Sequence, residues 1–420
     1  MWCRIRLSSS NSIALSVSAR SSLVLEFMMI RIALLLSFVA LVLGQELPRF
    51  ASTSMAIAST QLDRLAQFAL NTTLNVIDHS KGNCTRENLQ FRRDWRAFST
   101  REKKAYLKSV VCLQALPART PSILAPGART RYDDFVATHI NQTGFIHRSG
   151  IFLGWHRYFI HEFESALREE CGYTGAYPYW DWGADTDSME DSEVFDGSET
   201  SLSGNGAHIP DQLDITVPLG NYTPSSFPAG SGGGCVTSGP FVDYVVNMGP
   251  SFLSTPGGNV TGMSNPLDYN PRCMTRDLTT VILQQFNNYT SIVHLILNNK
   301  NVWDFQTDLQ GWPGSGSLGV HGGGHYAMGG DPGRDADGSP GDPGFWHHHG
   351  MIDRVWWIWQ TLDLKTRQYA ISGTGTFLNQ PVSPNTTLDT MVDVGHANSG
   401  PIAMGELLNT VAGPFCYVYI

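Results

Sequence analysis

Three consecutive histidines, His347, His348 and His349, stand between a Gly/Pro turn and a tryptophan-rich run in GDPGFWHHHGMIDRVWWIWQ, residues 341–360. Imidazole is the commonest protein metal ligand and also an acid–base group near neutral pH. The chain has thirteen histidines, and nine fall in two groups: His139, His147, His156 and His161, then His321, His325, His347, His348 and His349. His79, His208, His294 and His396 are scattered and read as surface or structural residues. A single histidine is most often an ordinary structural residue. The grouping is what points to a metal.

Helical phase selects among them. At about 100° per residue, His139 shares a stripe with Tyr132, Phe135 and Val136, and His156 with Phe159, Ile160, Phe163 and Leu167. Both aim into apolar surroundings, where an imidazole needs a hydrogen-bond partner or a metal. His161 falls on the opposite face and is set aside. On a helix through 345–361, His349 is in phase with Asp353, Trp356 and Gln360, the stripe expected to face inward. His348 lies about 100° away and His347 nearer the far side, so these two are expected to support the site or reach solvent.

His321 and His325, in HGGGH, are spaced i, i+4 and share one side of a helical turn. Three glycines between them cost about 1 kcal/mol each in a helix, which predicts that the space above them is kept open for a substrate. Two triads result: His139, His147, His156 and His321, His325, His349. No carboxylate stands at ligand spacing, and neither HExxH nor CxxC occurs. An all-imidazole set suits Cu, Zn, Fe or Ni. Two such sets in one domain suggest a binuclear centre, and composition does not choose its metal.

The elements that must carry these residues read as helices. Apolar spacing predicts helix over 60–116, 130–144 (ended by Gly144), 154–172 (ended by Gly172), 275–297 and 345–363. Ser99 and Glu102 form a capping-box start. Residues 183–270, rich in Gly, Ser, Pro, Asp and Asn, read as long irregular loops, and the last third as loops with short strands. The expected fold class is mainly α: a central helical bundle with long loops, few short strands and disulfides.

The compartment follows from the remaining residues. MIRIALLLSFVALVL, residues 29–43, is apolar but short for a membrane span, and 1–44 reads as a secretory signal. About 28 residues precede that run, which makes Met28 or Met29 the expected initiator. Residues 45–420 are expected to form a single domain, secreted, with no membrane attachment after signal removal. Cys84, Cys112, Cys171, Cys235, Cys273 and Cys416 are an even set, expected to form three disulfides of open connectivity. Sequons begin at Asn71, Asn83, Asn141, Asn221, Asn259, Asn288 and Asn385, so a glycoprotein is expected. Leaving out 1–44 removes Arg4, Arg6, Arg20, Arg31 and Glu26 and takes the formal charge from −9 to −12. An acidic chain without a basic tract argues against nucleic acid as partner.

Four segments carry a family resemblance: HRSGIFLGWHRYFIHEFE (147–164), YPYWDW (177–182), HGGGH (321–325) and DPGFWHHHGMIDRVWWIWQ (342–360). The sequence resembles the tyrosinase/catechol oxidase family of binuclear type-3 copper proteins, which also includes molluscan haemocyanin. The resemblance covers most of 130–365, and the ending CYVYI resembles the Tyr-x-Tyr that closes the family's catalytic domain. It implies two copper ions, with His139, His147 and His156 on the first and His321, His325 and His349 on the second. His349 is the third ligand there because that ligand stands four residues before the Asp matched by Asp353. It implies O2 as co-substrate and a small phenolic substrate, with Phe345 over the site limiting access and Asp353 and Arg354 orienting ligand imidazoles. The implied reaction is oxidation of o-diphenols or o-aminophenols to o-quinones. The alternatives are a tyrosinase that also o-hydroxylates monophenols, as a monooxygenase, and an O2 carrier of haemocyanin type.

The departures are specific. His147 follows His139 by eight positions, as in the short secreted fungal members. Phe145 stands where fungal members with a Cys-x-His thioether have cysteine. No lid domain is expected after Ile420. Gly322 stands where strong monophenol hydroxylases often have an asparagine that helps orient a water as base, which argues against tyrosine hydroxylation.

Overall fold

Residues 344–361 have no solvent face, since all 18 are buried. A helix with apolar groups all round must be enclosed by other elements, and the computed structural model shows which ones enclose it. The model describes residues 50–217, 225–398 and 400–420; the expected secretory segment 1–44 lies outside these. The chain divides into Met1–Ile57 and Ala58–Ile420, and beyond the first turns of one helix everything below concerns the second unit.

The helices are α1 (Phe50–His79), α2 (Thr100–Ala115), α3 (Arg131–Ile146), α4 (Phe152–Cys171), α5 (Thr280–Phe286), α6 (Tyr289–Asn298), α7 (Val302–Leu309), α8 (Gly319–Met328), α9 (Gly344–Thr361) and α10 (Leu364–Arg367). Helix α9 packs against α4, α6 and α8. Helix α3 starts at a capping box in which Thr130 and Asp133 bond reciprocally, and α4 ends at Gly172 with φ 67°. The mainly α reading therefore holds, with few and short strands.

Local expectations fail where distant partners intervene. Residues 60–116 are not one helical stretch: α1 stops at His79, and β1 (Gln90–Asp94) precedes α2. β1 pairs in parallel with β2 (Pro178–Tyr179) and with β3 (Tyr417–Tyr419), ladders that a local periodicity cannot reveal. The Ser99–Glu102 capping box does start α2. Helix α3 runs through Gly144 to Ile146, because a glycine facing open space need not end a helix. The expected 275–297 helix is broken between α5 and α6, where the Asn288 side chain accepts the Ser291 N–H and starts the second. Residues 183–270 are less irregular than expected. They carry short antiparallel ladders such as Gly206–His208 with Gly233–Val236 and Leu253–Thr255 with Asn259–Thr261.

All three disulfides form: Cys84–Cys416, Cys112–Cys171 and Cys235–Cys273. The first ties the segment before β1 to the end of the chain, and the second ties α2 to the last turn of α4. Among the described residues no helix is long and apolar enough to cross a membrane.

Candidate metal centre

Helices α3 and α4 bring His139, His147 and His156 together, so that one ring nitrogen of each lies within 4.8 Å of the others. His139 is fully buried on α3, His147 follows the last residue of that helix, and His156 is buried on α4. Nδ1 of His139 lies 2.6 Å from the Asp337 carbonyl oxygen, Nδ1 of His156 2.8 Å from that of Phe152, and Nδ1 of His147 3.3 Å from that of Thr143. A carbonyl oxygen only accepts, so each Nδ1 carries the proton and each Nε2 keeps its lone pair. Nε2 of His139 and of His156 is buried with no protein partner.

Helices α8 and α9 build the second group, His321, His325, His348 and His349, again with ligand atoms within 4.8 Å. Nδ1 of His325 donates to the Gly333 carbonyl at 3.2 Å, which leaves its Nε2 free, 3.4 Å from Nε2 of His349. Nε2 of His321 is buried without a partner. His348 differs: its Nε2 lies 3.0 Å from the His321 carbonyl oxygen and is therefore already engaged as a donor. The two groups abut, with the rings of His156 and His349 stacked at 4.7 Å and those of His147 and His321 5.8 Å apart. Burial pushes all these imidazoles below the ordinary histidine range, His147 to about 3 and His325 to about 4, so they are neutral at pH 7.

Residues 129–362 match the family model described as the common central domain of tyrosinase. The chain is 42% identical over 330 residues to Tyrosinase P of Aspergillus terreus, covering 78% of this chain and 91% of the relative. The chain belongs to the tyrosinase family. It is also 38% identical to N-acetyl-6-hydroxytryptophan oxidase of Emericella nidulans, over 85% of this chain and 99% of that one. A polyphenol oxidase variant from Thermothelomyces thermophila superposes with a TM-score of 0.79 at 39% identity, covering 86% of this chain and 98% of that chain. The protein is a copper-dependent oxidase of this family, whose cofactor is a pair of copper ions.

The residues fit that cofactor. Unpartnered buried acceptors cost about 1–3 kcal/mol each, and the bare Nε2 atoms of His139, His156 and His321 lie on rings of the two abutting ligand groups. Neutral imidazole is a copper ligand in either oxidation state, and each carbonyl that accepts an Nδ1–H fixes the ring as metal sites require.

Other residues of this tyrosinase-family site depart from expectation. Gly322 is the least crowded glycine of HGGGH: a Cβ there would meet only the Leu318 side chain, tightly, at 3.2 Å. A Cβ at Gly323 would lie 2.2 Å from Asn287 Oδ1, and one at Gly324 2.3 Å from the His348 ring. Those two glycines serve helix–helix approach, not substrate access. His347 does not reach solvent: it is fully buried, edge-on to Trp95 and Tyr106 at 4.9 and 5.1 Å. His161 lies edge-on to Phe415, away from both groups, and His79, His208, His294 and His396 are exposed.

Phe345 is fully buried and stacks on His349 at 4.1 Å, edge-on to His139 at 5.4 Å. No imidazole is hydrogen-bonded to Asp353 or Arg354 among the described residues. Asp353 accepts from Arg157 Nε at 2.6 Å, Tyr417 at 2.7 Å, Tyr419 at 2.5 Å and Arg92 at 3.3 Å. The Arg354 guanidinium lies over the Tyr179 ring. One turn beyond His349 on α9, the Asp353 carboxylate is shared by Arg157 of α4, Arg92 of β1 and the two tyrosines of β3. Arg92 and Arg157 went unforeseen because nothing local in QFRRD or WHRYF marks a buried ion pair. The Tyr-x-Tyr ending was the available signal.

Proposed function

We propose that the protein oxidises o-diphenols to o-quinones, or o-aminophenols to o-quinone imines, while reducing O2 to water. Two diphenols and one O2 give two quinones and two waters. His139, His147 and His156 would hold one copper and His321, His325 and His349 the other. The carrying observation is that two neutral histidine groups, each with its ligand atoms within 4.8 Å of one another and with unpartnered buried nitrogens, abut through the His156–His349 and His147–His321 ring pairs. Bound copper supplies one-electron acceptors in pairs and a Lewis acid for a phenolate oxygen. The chain's own residues do the rest. Phe345 closes the inner side of the site by lying on His349. His147 and His321, half-buried where the others are buried, mark the open side by which a phenol enters.

Gly322 supports diphenol over monophenol oxidation, since it offers no side chain to hold a water as base on that open side. The deciding experiment is oxygen uptake by copper-loaded protein on a matched monophenol and o-diphenol. Uptake on the diphenol alone is expected. Equal, prompt uptake on both would overturn the Gly322 reading, and none on either would overturn the oxidase reading.

Residues 45–420 act, in this reading, as one secreted catalytic domain. Three disulfides support it, as do exposed sequon asparagines at Asn71, Asn83, Asn141, Asn259 and Asn385. Asn288 is half-buried and caps α6, so it is expected to stay unmodified. Peptide mapping after enzymatic deglycosylation checks both statements.

A further inference from the structure

Arg148 directly follows the ligand candidate His147 and, like the buried Arg354 and Arg367 that lie over the Tyr179 and Trp359 rings, has no carboxylate within ion-pair distance among the described residues. Arg92, Arg131, Arg157, Arg276 and Arg334 each pair with a carboxylate, at 2.6–3.5 Å. Among the described residues no carboxylate pairs with Arg148, and a guanidinium is cationic at neutral pH. Its backbone takes the left-handed conformation, φ 49°, a region that non-glycine residues rarely occupy. That conformation is held from both sides: the Arg148 N–H donates to Gln310 Oε1 at 2.9 Å, and the Leu378 N–H donates to the Arg148 carbonyl at 3.2 Å.

The guanidinium reaches across to the segment before α8, with Nη2 donating to the Gln310 carbonyl at 2.5 Å and Nη1 to that of Gly311. Gly311 in turn packs against the backbone of Ser317 and Leu318, three to four residues before His321. The cation is thereby fixed between the chain at His147 and the approach to His321, the two half-buried members of the site. A guanidinium has five N–H donors, and these two carbonyls use two. A neutral carbonyl does not offset its charge, so three N–H donors and the full positive charge are left without a carboxylate among the described residues.

We propose that Arg148 is an anion-recognition residue at the open side of the copper site, selecting phenolic substrates that carry a carboxylate. The proposal rests on the oxidase reading above, deepening it to a substrate class. It excludes a purely mechanical role, in which Arg148 only braces the His147 backbone against the segment before His321.

The test compares copper-loaded wild type, Arg148→Gln and Arg148→Lys. Substrates are 3-(3,4-dihydroxyphenyl)propanoate and its methyl ester. Calorimetric binding of 3-phenylpropanoate and its amide gives a readout independent of turnover, and copper per chain is measured alongside. The wild type is expected to favour the carboxylate in kcat/KM and in affinity by about tenfold, less at high salt. Arg148→Gln should abolish that ratio and Arg148→Lys keep part of it. No preference in the wild type, or an equal fall for acid and ester with loss of copper in Arg148→Gln, would overturn the proposal in favour of the brace. If the wild type oxidises neither compound, the oxidase reading fails. The binding ratio then still decides the role of Arg148.

Discussion

His348 and His349 are adjacent, both are buried, and both lie within ligand distance of His321 and His325, yet their nitrogens are committed differently. Nε2 of His348 is engaged with the His321 carbonyl oxygen, while that of His349 faces Nε2 of His325. His349→Ala is therefore expected to bring copper per chain to about half the wild-type value, by loss of one three-histidine set. Atomic emission on the purified protein measures it, and undiminished copper would move the third ligand to His348. At Asp353 the expectation concerns stability. Asp353→Ala strands Arg92 and Arg157 without that carboxylate, and breaking a buried pair typically loses about 3–5 kcal/mol. Denaturant unfolding should show that loss. His161 gives a pH dependence, because burial pushes it down to about 4. As pH falls below about 6.5, the unfolded chain takes up the proton first, so the stability His161 contributes falls until the folded pKa is reached. His161→Phe should lose less melting temperature between pH 7 and pH 4.5 than wild type does.

Helix α8 concentrates the trade-off between local preference and packing. Its three consecutive glycines weaken the helix, yet two of them are irreplaceable: Gly323 lets Asn287 and Phe286 approach, and Gly324 admits the His348 ring. Asn287 answers by donating to the Val320 carbonyl at 2.7 Å, which holds α8 against the turn between α5 and α6. Gly322→Ala is expected to be neutral or to stabilise by up to about 1 kcal/mol. Gly324→Ala should instead displace His348, and with it the His321 backbone, so that copper content falls together with melting temperature. Equal behaviour of the two variants would show that the glycines serve a common purpose.

At the scale of the molecule, both ends of the described catalytic unit converge behind the metal centre. β1 lies between β2 and β3, Cys84 is bonded to Cys416, and Tyr417 and Tyr419 reach Asp353 on α9. The disulfide spans 332 residues, and loss of a bridge of this kind typically removes about 2–5 kcal/mol. Cys84→Ser with Cys416→Ser should lower the unfolding midpoint accordingly while leaving the copper content of the folded protein intact. The histidine groups, the inward phase of His139, His156 and His349, and the capping box at Ser99 were legible in the residues. Each depends on contacts within a few positions or on a periodicity of about 3.6. The full burial of 344–361 was not legible, nor the break of 60–116 into helix, strand and helix, nor the disulfide pairing, nor the sharing of Asp353 among two arginines and two tyrosines. Those outcomes rest on partners up to hundreds of residues distant, and only closure of the chain brings such partners together. The sequence by itself determined which side chains can do copper chemistry. Tertiary structure decided which glycine leaves room for a side chain, which adjacent histidine has its Nε2 engaged by a carbonyl, and where a positive charge is left without a carboxylate, because each is a question of what stands across the gap.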